Sequence, residues 1–209
     1  MIPSNPFALA NVLRGHLAER ILTMLLERSG YRVTRLDIEE LFGEVKCLDR
    51  EQYLALGLPE HLRNLPDLLV ADPGVTWAKL IEVKFRRTFE RSIADKLFDK
   101  LTEQRRFWPQ SYAVIIIGEP LLPGGHFHQD FIRVIPPDET ELLMGPRSID
   151  TPTDEREAIH LVWDQLPKLN RIFQSRDFEH YGEEGEHLSH VFLRNADVIT
   201  TAIRELGRM

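Results

Sequence analysis

The run Ser111-Tyr-Ala-Val-Ile-Ile-Ile-Gly118 restricts the possible folds more than any other part of the chain. Side chains of a strand alternate between two faces, so a strand apolar at every position has to be covered on both. An interior strand of a sheet flanked by helices is predicted. The flanking patterns agree. In residues 15–29, Leu17, Ile21, Met24 and Leu25 recur on one helical face, and Gly30 stands at the usual C-terminal stop. "YRVTRL" (31–36) alternates like a strand, and residues 89–107 predict a helix with Phe89, Ile93, Leu97, Leu101 and Gln104 along one side. Residues 119–131 read as a loop and 131–136 as a further strand. Helix, three strands, helix and strand make an α/β chain with a mixed central sheet.

"PDLLVA" and "TWAKLIEVKF" flank a turn at Asp72-Pro73-Gly74-Val75 and predict a β-hairpin. Partners across a hairpin have residue numbers with a constant sum, and a turn centred between Gly74 and Val75 pairs Asp67 with Glu82. Their Cα atoms should lie within about 5.5 Å, and Lys84, two residues past Glu82, should project from the same face. Like charges on facing positions destabilise a sheet, so something must neutralise them. A divalent cation and the Lys84 ammonium are the natural partners. A hard cation takes carboxylate oxygens and phosphates, and a lysine beside it stabilises negative charge developing on a phosphate. An ordinary surface Glu–Lys pair is the bland alternative. The second Glu-Val-Lys, at 44–46, lacks this setting: Ser29 stands fifteen residues before Glu44, and no turn-centred apolar pair surrounds it.

Composition bounds the class. The 209 residues are 43% hydrophobic and 28% charged, ordinary for a globular chain, and no apolar run nears the roughly 20 residues that span a bilayer. Cys47 is the only cysteine, which excludes an internal disulfide and a cysteine-built zinc site. With no basic and apolar leader at the start, a cytoplasmic, membrane-free location is expected. The net charge of −7 hides an asymmetry: Lys79–Trp108 holds nine Lys or Arg against five acids, whereas Asp150–His190 holds ten acids against four bases.

Pro66-Asp67 followed by Glu82-Val83-Lys84 resembles the signature of the PD-(D/E)xK nuclease superfamily. The similarity covers residues 15–118, and "GHLAERILTMLLERSGYRVTRL" is similar to the leading helix and first strand of archaeal Holliday-junction resolvases. The resemblance implies a restriction-endonuclease-like αβββαβ core and a Mg²⁺-dependent nuclease, with Mn²⁺ able to substitute, acting on DNA in repair, recombination or restriction. It implies Asp67, Glu82 and the Val83 carbonyl as metal ligands, Lys84 as the catalytic lysine, Glu19 as an accessory acid and Gln104 as an accessory glutamine. Arg86, Arg87, Arg91, Arg105 and Arg106 are the expected phosphate contacts, and a homodimer is expected where both strands are cut. The alternatives are a catalytically silent nucleic-acid-binding or scaffolding member of the fold, a nuclease acting on RNA, and an α/β protein with an incidental motif. The last predicts carboxylates far apart or on opposite faces.

The expected organisation is a core over 1–140 with an insertion at 37–63, and a helical C-terminal extension over 141–209 packed on it. Within the insertion, "DREQYLALGLPEHLRNL" predicts one or two short helices broken by Gly57 and Pro59, and the extension predicts helices near 153–175 and 186–206. His126-x-His128-x-Asp130 and His187-x-x-His190 have metal-ligand spacing but read as polar loop and solvated acidic face. Trp77, Trp108 and Trp163 read as core or interface anchors.

Overall fold

A computed structural model describes residues 6–36, 50–119, 121, 131–137, 159, 162–173, 198 and 200–208. The two histidine constellations, Glu44, Lys46 and Cys47 lie outside these residues. The described elements are α1 (Pro6–Arg28), β1 (Arg32–Arg35), α2 (Arg50–Ala55), α3 (Glu60–Arg63), β2 (Leu68–Ala71), β3 (Ala78–Arg86), α4 (Arg91–Arg105), β4 (Tyr112–Ile117), β5 (Ile132–Ile135) and α5 (Leu169–Ile172), with further helical segments at 162–165 and 200–208. The five strands form one mixed sheet in the order β1-β2-β3-β4-β5, antiparallel except for β3 beside β4. The chain is therefore α/β, a five-stranded mixed sheet flanked by helices.

The apolar run at 112–117 becomes β4, an interior strand whose last five residues are all buried. Its parallel neighbour β3 is reached through α4, the crossover that parallel pairing demands. β5 supplies a second wholly buried run on its other side. Together with α1 and residues from 159–206, these strands close one continuous core around Leu22, Leu26, Ile81, Leu97, Ile115 and Phe131.

Helix α1 departs from its expected face. It starts at Pro6, not near residue 15, and buries Ala18, Leu22, Leu25 and Leu26, whereas Leu17 (42%) and Met24 (51%) are exposed. Both stripes satisfy a 3.6-residue period. Packing on β1 and β3 selects the stripe one residue further on, which carries two leucines one turn apart. Gly30, at a φ of 87°, ends the helix as expected, where a residue with a Cβ would be strained.

The expected helix over 153–175 is broken. Helical residues at 162–165 and α5 are separated by Leu166, Pro167 and Lys168. Proline lacks the amide donor that a continuous helix needs there, and its carbonyl instead accepts the Val134 N–H of β5 at 2.9 Å. The helix expected over 186–206 is seen at 198 and 200–208, running past its predicted end. Where it passes the end of β4, Gly207 and Gly118 meet backbone to backbone, so that a Cβ on Gly118 would lie 2.6 Å from the Gly207 Cα.

Three aromatic residues hold the distal part of the chain to the sheet edge. Tyr31, Trp77 and Phe173 have ring centroids 5.6–6.4 Å apart, and the Tyr31 hydroxyl donates to the Phe173 carbonyl. Burial, aided by the Asp72 charge, raises the Tyr31 phenol to a pKa of about 12. Trp163 is buried against Phe89, a centroid distance of 4.9 Å. Trp108 donates its indole N–H to the His61 carbonyl at 3.0 Å, tying the end of α4 to α3.

Candidate active site on the β2–β3 hairpin

The β2–β3 register is the one that the turn predicts: Leu68 faces Ile81 and Ala71 faces Ala78. One step further, the same register would set Asp67, which stands just before β2, opposite Glu82. Asp72 fixes the turn between the strands. Its carboxylate accepts the Trp77 N–H and the Thr76 hydroxyl, both at 2.9 Å. Burial works against that charge, but these hydrogen bonds and those from the Thr76 and Gly74 amides outweigh it and hold the carboxyl below its ordinary pKa.

At the open end of the hairpin, Asp67 accepts the Val83 N–H through Oδ2 at 2.6 Å, and its own carbonyl accepts the Leu36 N–H at 2.9 Å. The residue is therefore held by β3 on one side and by the end of β1 on the other. Its carboxyl titrates well above its ordinary value. Burial is the main cause and the Glu82 charge adds to it, while Lys84 and the Val83 amide oppose; the Glu19 charge adds a further rise.

Glu82 is 6% exposed, and both of its oxygens are engaged: Lys84 Nζ donates to Oε1 and Gln104 Nε2 to Oε2. A carboxylate so buried needs such partners. Gln104 also donates to the Asn64 carbonyl at 3.4 Å, linking β3, α4 and the end of α3. An open cavity of about 360 Å³ lies over this cluster, lined by Asp67, Glu82, Lys84, Lys100, Gln104 and Arg63 among others.

The structure thus brings Asp67, Glu82, Lys84 and Gln104 together around one cavity. Glu19 is near enough to act on Asp67 through its charge, but its carboxylate is held by Arg35 at 3.4 Å, with His16 at 3.8 Å. Among the described residues, no group of three or more His, Cys, Asp or Glu side chains is placed to hold a metal ion. The donor set that remains is the Asp67 and Glu82 carboxylates with the Val83 backbone. Such a pair suits Mg²⁺, which is commonly held by one or two carboxylates plus waters and substrate phosphates.

The five expected phosphate-contacting arginines separate. Arg86 is half-buried beside the cavity end, and its burial lowers the guanidinium pKa without removing its charge at neutral pH. Arg87 and Arg91 are exposed and paired with Glu119 and Asp95. Arg106 is exposed. Arg105 requires a correction: it is buried and donates to the Ile135 and Pro136 carbonyls at 3.0 and 2.8 Å, which leaves it serving the end of β5. A net-charge window along the sequence cannot tell a buried arginine from an exposed one.

Sequence reasoning passed over Lys100, Arg63 and Lys96. The signal was present in the helical period, because Lys96, Lys100 and Gln104 are spaced by four and share a stripe beside the apolar one. No family model, curated protein or solved structure matches the chain. No helix among the described residues is long and apolar enough to cross a membrane.

Proposed function

We propose that the chain is a metal-dependent phosphodiesterase of the PD-(D/E)xK type that cuts DNA, acting in the cytoplasm as a homodimer. One observation carries the reading: Asp67, bonded to the Val83 amide next to Glu82, lines one open cavity with Glu82 and Lys84. An incidental motif would have scattered them. Apart from the short helices α2 and α3 between β1 and β2, the order α1, β1, β2, β3, α4, β4 is also that of a restriction-endonuclease-like core.

Asp67, Glu82 and the Val83 carbonyl would hold Mg²⁺ or Mn²⁺, which when bound supplies Lewis acidity toward a phosphate and a water of lowered pKa. Without it, two carboxylates face each other in a poorly solvated place, and the raised Asp67 titration reports that conflict. Lys84 neutralises Glu82 and stands where negative charge would grow on a phosphate oxygen. Gln104 orients Glu82, and Glu19 adds negative potential from the α1 side. Arg86, Arg87, Arg91 and Arg106 are left to grip the backbone.

A second reading, a silent nucleic-acid-binding member of the same fold, is favoured by one feature. Both Glu82 oxygens are already occupied by protein donors, and the described residues hold no three-ligand group. Cleavage decides between them. Single-stranded, duplex, flap and four-way-junction DNA, together with RNA, are incubated with Mg²⁺ or Mn²⁺ and wild type, Asp67→Ala or Lys84→Ala. Metal-dependent cutting lost in both variants supports the enzyme; no cutting of any substrate rejects it. Equal cutting by all three proteins places the activity elsewhere.

A further inference from the structure

The cavity over the acid pair does not end at Lys84. A second cleft of about 400 Å³ adjoins it, lined by Arg86, Ile93, Lys96, Asp99 and Lys100. Lys100 lines both clefts, which makes them one trough. Its two walls are β3 and α4, and they run in opposite directions: Glu82 meets Gln104 at one end, and Arg86 lies with Lys96 at the other. Lys84 and Lys100 fall between them.

The spacing of these three rungs has a physical basis. Successive same-face residues on a strand are about 6.6 Å apart, and residues four apart on a helix about 6 Å. Glu82, Lys84 and Arg86 therefore stay in step with Gln104, Lys100 and Lys96 across the trough. The first rung carries the acid, and the next two carry only cations. A step of about 6.6 Å is also on the scale of the distance between neighbouring phosphates of a nucleic-acid strand.

The cations that line the second cleft are available. Among the described residues, Arg86, Lys96 and Lys100 form no ion pair; the one hydrogen bond of the Arg86 guanidinium is to the Phe85 carbonyl at 2.7 Å. Arg86 is nevertheless half-buried, a position that a guanidinium seldom holds without an anion. Asp99, on the outer wall, is the single acid against three cations in this cleft.

From these rungs we infer that Arg86, Lys96 and Lys100 form a subsite for the phosphate adjoining the one beside Lys84, so that the ligand is a DNA strand with at least two consecutive phosphates. The inference rests on the phosphodiesterase reading for the identity of the first phosphate. Lys96 and Lys100 contact the backbone without reading bases.

Binding of a labelled single-stranded oligodeoxynucleotide, followed by anisotropy in EDTA across a series of salt concentrations, tests the subsite apart from catalysis. Arg86→Ala and Lys96→Ala should each weaken binding about tenfold and lower the salt slope by about 1. Arg28→Ala, an exposed change of equal charge on α1, should do neither. Cleavage by wild type with Mg²⁺ or Mn²⁺ is read in parallel. Unchanged affinity and slope in the two variants, with cutting by wild type intact, overturns the subsite and leaves the enzyme. Loss of binding in the variants, with no cutting by wild type under any condition, keeps the subsite and removes the enzyme. Absence of binding by wild type overturns the subsite outright.

Discussion

The Asp67 carboxylate accepts the Val83 amide at 2.6 Å, so a side chain continues the β2–β3 pairing one step past the last paired residues of the hairpin. Burial is the main cause of the raised Asp67 titration and the Glu82 charge adds to it, while the Val83 bond and Lys84 oppose it. Because the folded carboxyl titrates above its unfolded value, the native state binds the proton more tightly. Stability from this group is therefore full below the ordinary carboxylate pKa of about 4 and is lost as pH rises through the raised value.

Asp67→Asn keeps an acceptor for Val83 and removes the charge. In metal-free buffer at pH 8 its urea midpoint should correspond to about 1 kcal/mol more stability than wild type, with a flatter dependence on pH. A variant less stable than wild type at pH 8 would refute the like-charge account. Activity, by contrast, should be abolished.

Removing Lys84 leaves Glu82 with Gln104 alone. Lys84→Ala should lower DNA hydrolysis by about 100-fold or more and cost roughly 1–3 kcal/mol of stability. Adding Glu82→Gln to it should restore much of the stability and none of the cutting. Denaturant melts of the two proteins, paired with cleavage assays, separate the two effects. A double variant as unstable as the single would show that the Glu82 charge is not what Lys84 offsets.

Arg105 and Arg86 make opposite predictions. Arg105→Ala strips donors from the Ile135 and Pro136 carbonyls and should destabilise by roughly 1–3 kcal/mol, with the salt slope of DNA binding unchanged. Thermal melts and anisotropy titrations check both halves.

The Gly118–Gly207 contact leaves no room for a side chain. Gly207→Ala should cost roughly 1–3 kcal/mol because backbone lies on the other side and cannot rotate away as a flexible side chain would. The urea midpoint reads this directly.

Val75 holds a φ of 55° in the hairpin turn and is 57% exposed. A β-branched residue is strained there, so Val75→Gly should stabilise the protein by about 1 kcal/mol despite its entropic cost. A lower melting temperature would mean that the turn relaxes around the valine.

Much of this was written along the chain. Strand period, the Pro-Gly turn and the apolar run at 112–117 determined the hairpin, its register and the interior place of β4, because each depends on neighbours a few residues apart. The placing of Asp67 near Glu82 follows from extending that register by one residue. Local periodicity did not determine which of two stripes α1 buries, where Pro167 divides the distal helical stretch, or that Arg105 turns inward while Arg86 lines a trough. Those outcomes depend on which surface arrives from far along the chain. The trough itself exists only because α4 folds back antiparallel to β3, setting Gln104, Lys100 and Lys96 opposite Glu82, Lys84 and Arg86. That juxtaposition is a property of tertiary packing.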